Sequence, residues 1–369
     1  MKTPRILILS ADTGKTSGSV AETLAGQLKK MNLPADVLDA LIMVPENSDL
    51  LAHWGKSRFY HSVSRLLGRS YSREERHAAQ VLYRRCALGA EALHAVLEKE
   101  RYDAVICVHV FSCMMMTEIR RVYGNTPPFW FVATDYSCAV GIDLLEADGY
   151  FVPHRMLFGD FIRCGISADR LFATGIPLPE RFRSPDDMEK GERKRALGLD
   201  PDSTLLVLRG GNMENSATGK RIGDLFASLP ANAALAVLCG KNEKLRRQLM
   251  SLQSERLLLP GFEEDAARFL SVADLCIGRP RGLPCAEALA CSLPLILYRE
   301  LPGTEARNYD FLIRMGVATG SGSWREVTRL VGELLSNRSE KERLQSARER
   351  FLPAEPAEQI CRAVCRGVS

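Results

Sequence analysis

At 369 residues the chain is long for one domain and fits two. The hydrophobic fraction of 46% and charged fraction of 25% are those of a globular protein, and a net charge of +4 is too small to make nucleic acid the main partner. The eleven cysteines include no CxxC pair, which excludes a zinc ribbon and points to buried thiols in a reducing compartment.

The first apolar run, Arg5 to Ser10, reads as a buried strand and is too short for a signal peptide. No apolar run approaches the roughly 20 residues of a membrane span, so the expected location is the cytosol or the cytosolic face of a membrane. A loop from Ala11 to Gly18, a helix from Ser19 to Met31 and a strand at Val37 to Ala40 complete a βαβ opening. Gly14-Lys15-Thr16 is not a P-loop, because the glycine required five positions earlier is Leu9. Leu50 to Arg73 interleaves Lys56, Arg58, Arg65 and Arg69 with Trp54, Phe59, Tyr60 and Tyr71, and contains no acid. Such a segment lies on an anionic bilayer or is a packed helix with a solvated basic face.

Glu74 to Lys99 reads as one long helix, followed by a buried strand from Asp103 to Val108 that ends at His109. Cys113 to Tyr123 is helical, with Met114, Met115 and Met116 read as core in preference to pocket lining. The strand Pro128 to Thr134 carries Asp135 at its carboxyl end, and Gly175-Ile176-Pro177 reads as a linker. The second half repeats the alternation, with loops at Gly210-Gly211 and Cys239-Gly240-Lys241-Asn242. Strand 273–277, a turn to Pro284 and a helix to Cys291 form a natural anion site, since free N–H groups and the helix dipole favour a phosphate. Glu287 sits one turn into that helix, within reach of ribose hydroxyls, and the loop from Pro302 opens a helix carrying Asn308. The same stretch is also compatible with an ordinary βαβ unit bearing a polar loop.

Several elements, in order, give the chain a resemblance across nearly its whole length. They are Thr134-Asp135-Tyr136, Gly175-Ile176-Pro177 followed by Phe182, Cys239-Gly240-Lys241-Asn242 and Gly261-Phe262. Glu287-Ala288, Leu293 to Tyr298, and Pro302-Gly303-Thr304-Glu305 with Asn308 complete them. The chain thus resembles the diacylglycerol glycosyltransferases, a family that includes the monogalactosyldiacylglycerol synthases and processive diacylglycerol glucosyltransferases and is related to MurG. The resemblance implies an α/β GT-B architecture of two Rossmann-like doubly wound domains facing a cleft. An acceptor domain would span 1–177, a nucleotide-sugar domain 178–340, and helices over 341–369 would pack back toward the first. It implies hexosyl transfer from a UDP-sugar to a lipid acceptor, with inversion, at an anionic membrane surface, and without metal or other cofactor.

The implied donor-binding residues are Gly210, Gly211, Gly240, Asn242, Phe262, Arg279, Arg281, Gly282, Glu287, Thr304, Glu305 and Asn308. Asp135 or His109 would be the base, Gly14 and Ser17 would form the acceptor-side loop, and Trp54, Arg58, Arg65 and Arg69 would touch the membrane. Three positions depart from the family pattern. Ser17 stands for a histidine, Arg281 for a phosphate-loop glycine and Thr304 for a glutamine. The alternative function is a catalytically degenerate paralogue that binds a nucleotide sugar or regulates. The sugar, the acceptor and the oligomeric state are left open.

Overall fold

A computed structural model describes residues 3–11, 15–45, 73–182, 187–211, 213, 217–261, 265–299 and 303–368. Contacts divide the chain into two compact units. The first comprises Met1–Pro179, Leu301–Asn308 and Pro353–Ser369, and the second Glu180–Glu300 and Tyr309–Leu352.

The first unit is built on six parallel strands: β1 (Ile6–Ser10), β2 (Ala35–Asp39), β3 (Ala104–Cys107), β4 (Phe129–Val132), β5 (Gly149–Val152) and β6 (Leu171–Ala173). Their order is β2-β1-β3-β4-β5-β6, so the direction of winding reverses between β1 and β3. β1, β3, β4 and β5 are buried along their whole length, as parallel strands covered on both faces must be.

Helix α1 (Lys15–Lys30) begins four residues before the expected Ser19. The expected loop ran to Gly18, but one glycine costs only about 1 kcal/mol inside a helix, and nothing lies within 4 Å of the Cβ it lacks. The expected long helix from Glu74 is two, α2 (Arg73–Ala87) and α3 (Ala90–Glu100). The break falls at Gly89, where a Cβ would come within 3.1 Å of Met115 and 3.3 Å of the Met43 backbone. Helix α4 (Val110–Tyr123) buries Met114, Met115 and Met116 completely, which makes them core. The short helix α5 (Phe158–Arg163) follows β5.

The second unit opens with α6 (Asp187–Ala196), then β7 (Thr204–Leu208), α7 (Thr218–Ala227), β8 (Ala233–Val237), α8 (Glu243–Met250) and β9 (Leu257–Leu258). It continues with α9 (Ala266–Leu270), β10 (Leu275–Gly278), α10 (Gly282–Ala290), β11 (Leu295–Tyr298), α11 (Thr304–Arg314), β12 (Thr319–Ser321), α12 (Trp324–Ser336) and α13 (Arg338–Phe351). The sheet order β12-β11-β10-β7-β8-β9 is the dinucleotide-fold order, with its switch point between β7 and β10. One core of Leu206, Leu208, Ile222, Leu235, Ile277, Val331 and their neighbours covers this sheet.

The last helix, α14 (Pro356–Gly367), packs on α1, and the Cys361 thiol lies 3.8 Å from the Leu24 carbonyl. The return to the first unit therefore starts at Pro353 and not at 341. α13 stays with the second unit because it buries Leu344 in that core. At the edge of the first unit, Gly175 has φ +86°, and a Cβ there would fall 2.5 Å from Pro353.

Candidate functional site

Open parallel sheets bind ligands beyond the carboxyl ends of their strands, at the switch point. In the second unit that point lies between the loops after β7 and β10. β7 ends at Leu208, and Arg209 follows, its N–H donating to the Ile277 carbonyl at 2.9 Å. The Arg209 guanidinium pairs with the Glu287 carboxylate and donates to the Pro284 carbonyl at 3.4 Å. α10 is apolar and buried along nearly its whole length, and Glu287 is only 6% exposed, so its charge requires a partner. Burial opposes the charge on Arg209, but Glu287 outweighs it and holds the guanidinium pKa above the usual arginine value.

The turn before α10 runs through Arg279, which is buried, and Arg281, which is partly exposed and precedes the first helical residue, Gly282. Pro284 falls in the first turn, where a missing N–H breaks no helical bond. Next to this turn, the loops after β7 and β8 meet backbone to backbone. A Cβ on Gly211 would lie 3.1 Å from the Cys239 carbonyl oxygen, and Gly240 takes φ +55°. Asn242 clamps the two loops. Its Oδ1 accepts from the Leu245 N–H at 3.0 Å, capping α8, and its Nδ2 donates to the Met213 carbonyl at 3.2 Å. Gly210, Gly211, Gly240 and Asn242 are thus brought together, with Asn242 holding the loops.

In the first unit, Asp135 follows β4 and is half-buried. Its Oδ1 accepts a hydrogen bond of 2.9 Å from Nδ2 of Asn308, which is fully buried. Expected to meet the donor, Asn308 here grips the candidate base. Thr304 begins α11 and accepts a hydrogen bond from Arg307 at 3.4 Å, with Glu305 in the same first turn.

His109 caps α4, its Nδ1 accepting from the Phe111 N–H at 3.3 Å. Desolvation lowers its pKa to about 4. An imidazole whose Nδ1 accepts a cap bond carries its proton on Nε2, and so offers that nitrogen as a donor. Ser17 lies in the first turn of α1 and not in an open loop. Gly14, Trp54, Arg58, Arg65, Arg69 and Phe262 lie outside the described residues.

The residue that the sequence reading missed is Arg209. Its signal was a lone charge ending the apolar run Leu205 to Leu208, directly before two glycines.

Two Rossmann-like parallel sheets in one chain, each with a switch point at the carboxyl ends of its strands, define a GT-B architecture. The chain aligns with Acinetobacter baumannii MurG at a TM-score of 0.63 and 15% identity, covering 98% of this chain and 99% of that one. It aligns equally with a UDP-GlcNAc 2-epimerase from Neisseria meningitidis bound to UDP-GlcNAc, at a TM-score of 0.63 and 12% identity, covering 98% and 100%. These likenesses establish the fold.

Kinship comes from sequence. Residues 19–178 match the family model for monogalactosyldiacylglycerol (MGDG) synthase. Over 98% of its length the chain is 27% identical to a processive diacylglycerol beta-glucosyltransferase of Bacillus cytotoxicus, covering 93% of that protein. The chain is therefore related to the diacylglycerol glycosyltransferases, as its motifs implied.

Proposed function

We propose that the protein transfers a hexose from a UDP-sugar to a diacylglycerol-like lipid, with inversion at the anomeric carbon. The observation that carries this reading is the charged, glycine-lined switch point of the second unit, in a chain related end to end to diacylglycerol glucosyltransferases. The diphosphate would sit at the N-terminus of α10, where the helix dipole, Arg279 and Arg281 supply positive charge and Glu287 takes the ribose. Arg281 replaces backbone approach with a guanidinium able to grip phosphate in a bidentate manner. No cofactor is required in this reading, and a chelator should leave turnover unchanged.

Asp135 is the base. Its carboxylate takes the proton from the acceptor hydroxyl as that oxygen bonds to the anomeric carbon, and UDP leaves from the opposite face. Asn308 holds the carboxylate in place. His109 is the poorer base, since its lone pair at Nδ1 is used by the cap and its pKa of about 4 makes it a weak proton acceptor.

The lipid acceptor implies work at a membrane. No helix among the described residues is long and apolar enough to cross one, and the basic, aromatic segment 50–73 is the proposed peripheral contact on the cytoplasmic face.

Titration with UDP and UDP-sugars, followed by transfer assays on diacylglycerol vesicles, tests the proposal. Undetectable UDP binding sinks it, and UDP binding without transfer or hydrolysis marks a degenerate binding protein instead.

A further inference from the structure

We infer that Arg209 is a positioning residue for Glu287, fixing the carboxylate that holds the donor ribose. The inference rests on the UDP-sugar reading above and deepens it. One side chain from the end of β7 follows the whole β10–α10 connection. Its backbone N–H is bonded to Ile277 at 2.9 Å. Its stem passes over Gly278, where a Cβ would lie 3.6 Å from the Arg209 Cβ and 4.0 Å from its Cδ. Its guanidinium closes on the Pro284 carbonyl and on Oε2 of Glu287. These are ordinary van der Waals distances, so the stem lies packed along the β10 end.

The pair has the asymmetry of a binding device. Among the described residues only Oε2 of Glu287 takes a hydrogen bond, so Oε1 is left for a hydroxyl. An arginine held by the Ile277 and Pro284 carbonyls fixes the glutamate rotamer before the ligand arrives, which removes part of the ordering cost of binding.

A purely structural ion pair would tie β7 to α10 without caring what the ligand carries. The discriminating probe is therefore UDP against 2′,3′-dideoxy-UDP, measured by calorimetry on the full chain. Arg209→Gln should weaken UDP about tenfold and change dideoxy-UDP by less than about twofold, because the effect passes through the ribose hydroxyls. In a Glu287→Gln background, Arg209→Gln should add nothing further, and Arg209→Lys should recover part of the loss. Equal losses for both ligands, or additive losses in the double variant, overturn the inference while leaving UDP-sugar binding intact. A wild-type protein that binds no UDP retires the transferase reading and this inference together. Thermal unfolding of each variant, including the double, separates loss of binding from loss of fold.

Discussion

The two ends of β7 and β10 carry two charge clusters that do different work. At the amino end, Asp274 accepts from the Leu205 N–H at 2.8 Å, from Lys190 at 2.7 Å and from Lys194 at 2.9 Å. Burial works against this carboxylate, but the two lysines hold its pKa below the usual value. The first sheet has the same arrangement at its amino end. Arg5 bonds Asp36 at 2.7 Å and Glu100 at 3.0 Å, and its backbone N–H donates to Asp103 at 2.7 Å. At the carboxyl ends lie the glycine loops, the N-terminus of α10, and Glu287 with one oxygen engaged. Saturated carboxylates staple strands, whereas partly satisfied ones beside glycine and a helix N-terminus are equipped to take a ligand. The sign of the charges is alike at both ends; the number of bonds still open differs.

Four measurements sharpen or break this division. The largest effect is expected for Asp135→Asn, which keeps an acceptor for Asn308 but cannot take a proton. Its turnover should fall by about 10²–10⁴, with UDP affinity and unfolding midpoint unchanged. A drop in stability without loss of turnover would move Asp135 to the stapling class. Next is Asp274→Ala, which leaves Lys194 buried without its carboxylate and should destabilise the second unit by about 2–3 kcal/mol in denaturant titration. UDP affinity of the folded fraction should hold, and a matching loss of affinity would erase the distinction between the two ends.

Glu287→Ala comes third and should weaken UDP by about 1–3 kcal/mol in calorimetry; an unaltered affinity would remove Glu287 from the ribose site. The smallest effect is expected for His109→Asn, which preserves an N-cap for α4 and removes a titrating group. His109 has a folded pKa of about 4 against an unfolded value near 6.5, so below pH 6.5 the unfolded chain binds a proton that the native state refuses. Its contribution is complete above pH 6.5 and is lost as the pH falls toward 4. The wild type should therefore lose stability more steeply than His109→Asn across that window. Parallel curves would show that His109 is not held neutral.

Much of this was legible in the order of residues. The apolar runs of β1, β3, β7, β10 and β11 were readable because parallel strands covered on both faces are continuously hydrophobic. The α10 turn was readable because glycine, proline and arginine between a strand and a helix leave few alternatives. Helix boundaries near Gly18 and Gly89 were not. At Gly18 the helix runs on through open space, while Gly89 begins α3 at a point where a Cβ would crowd Met115 and Met43.

By itself the sequence determined two α/β halves, the positions of their strand-end loops, and the kinship carried by widely spaced motifs. Those properties depend on local periodicity and turn chemistry, which each segment carries with it. Only the tertiary structure decided that Arg209 meets Glu287, that Asn308 holds Asp135, that His109 caps a helix, and that the chain returns to its first unit at Pro353. These pairings join residues up to 173 positions apart. Such partners are chosen by how strands are ordered in a sheet, and no window of sequence contains that order.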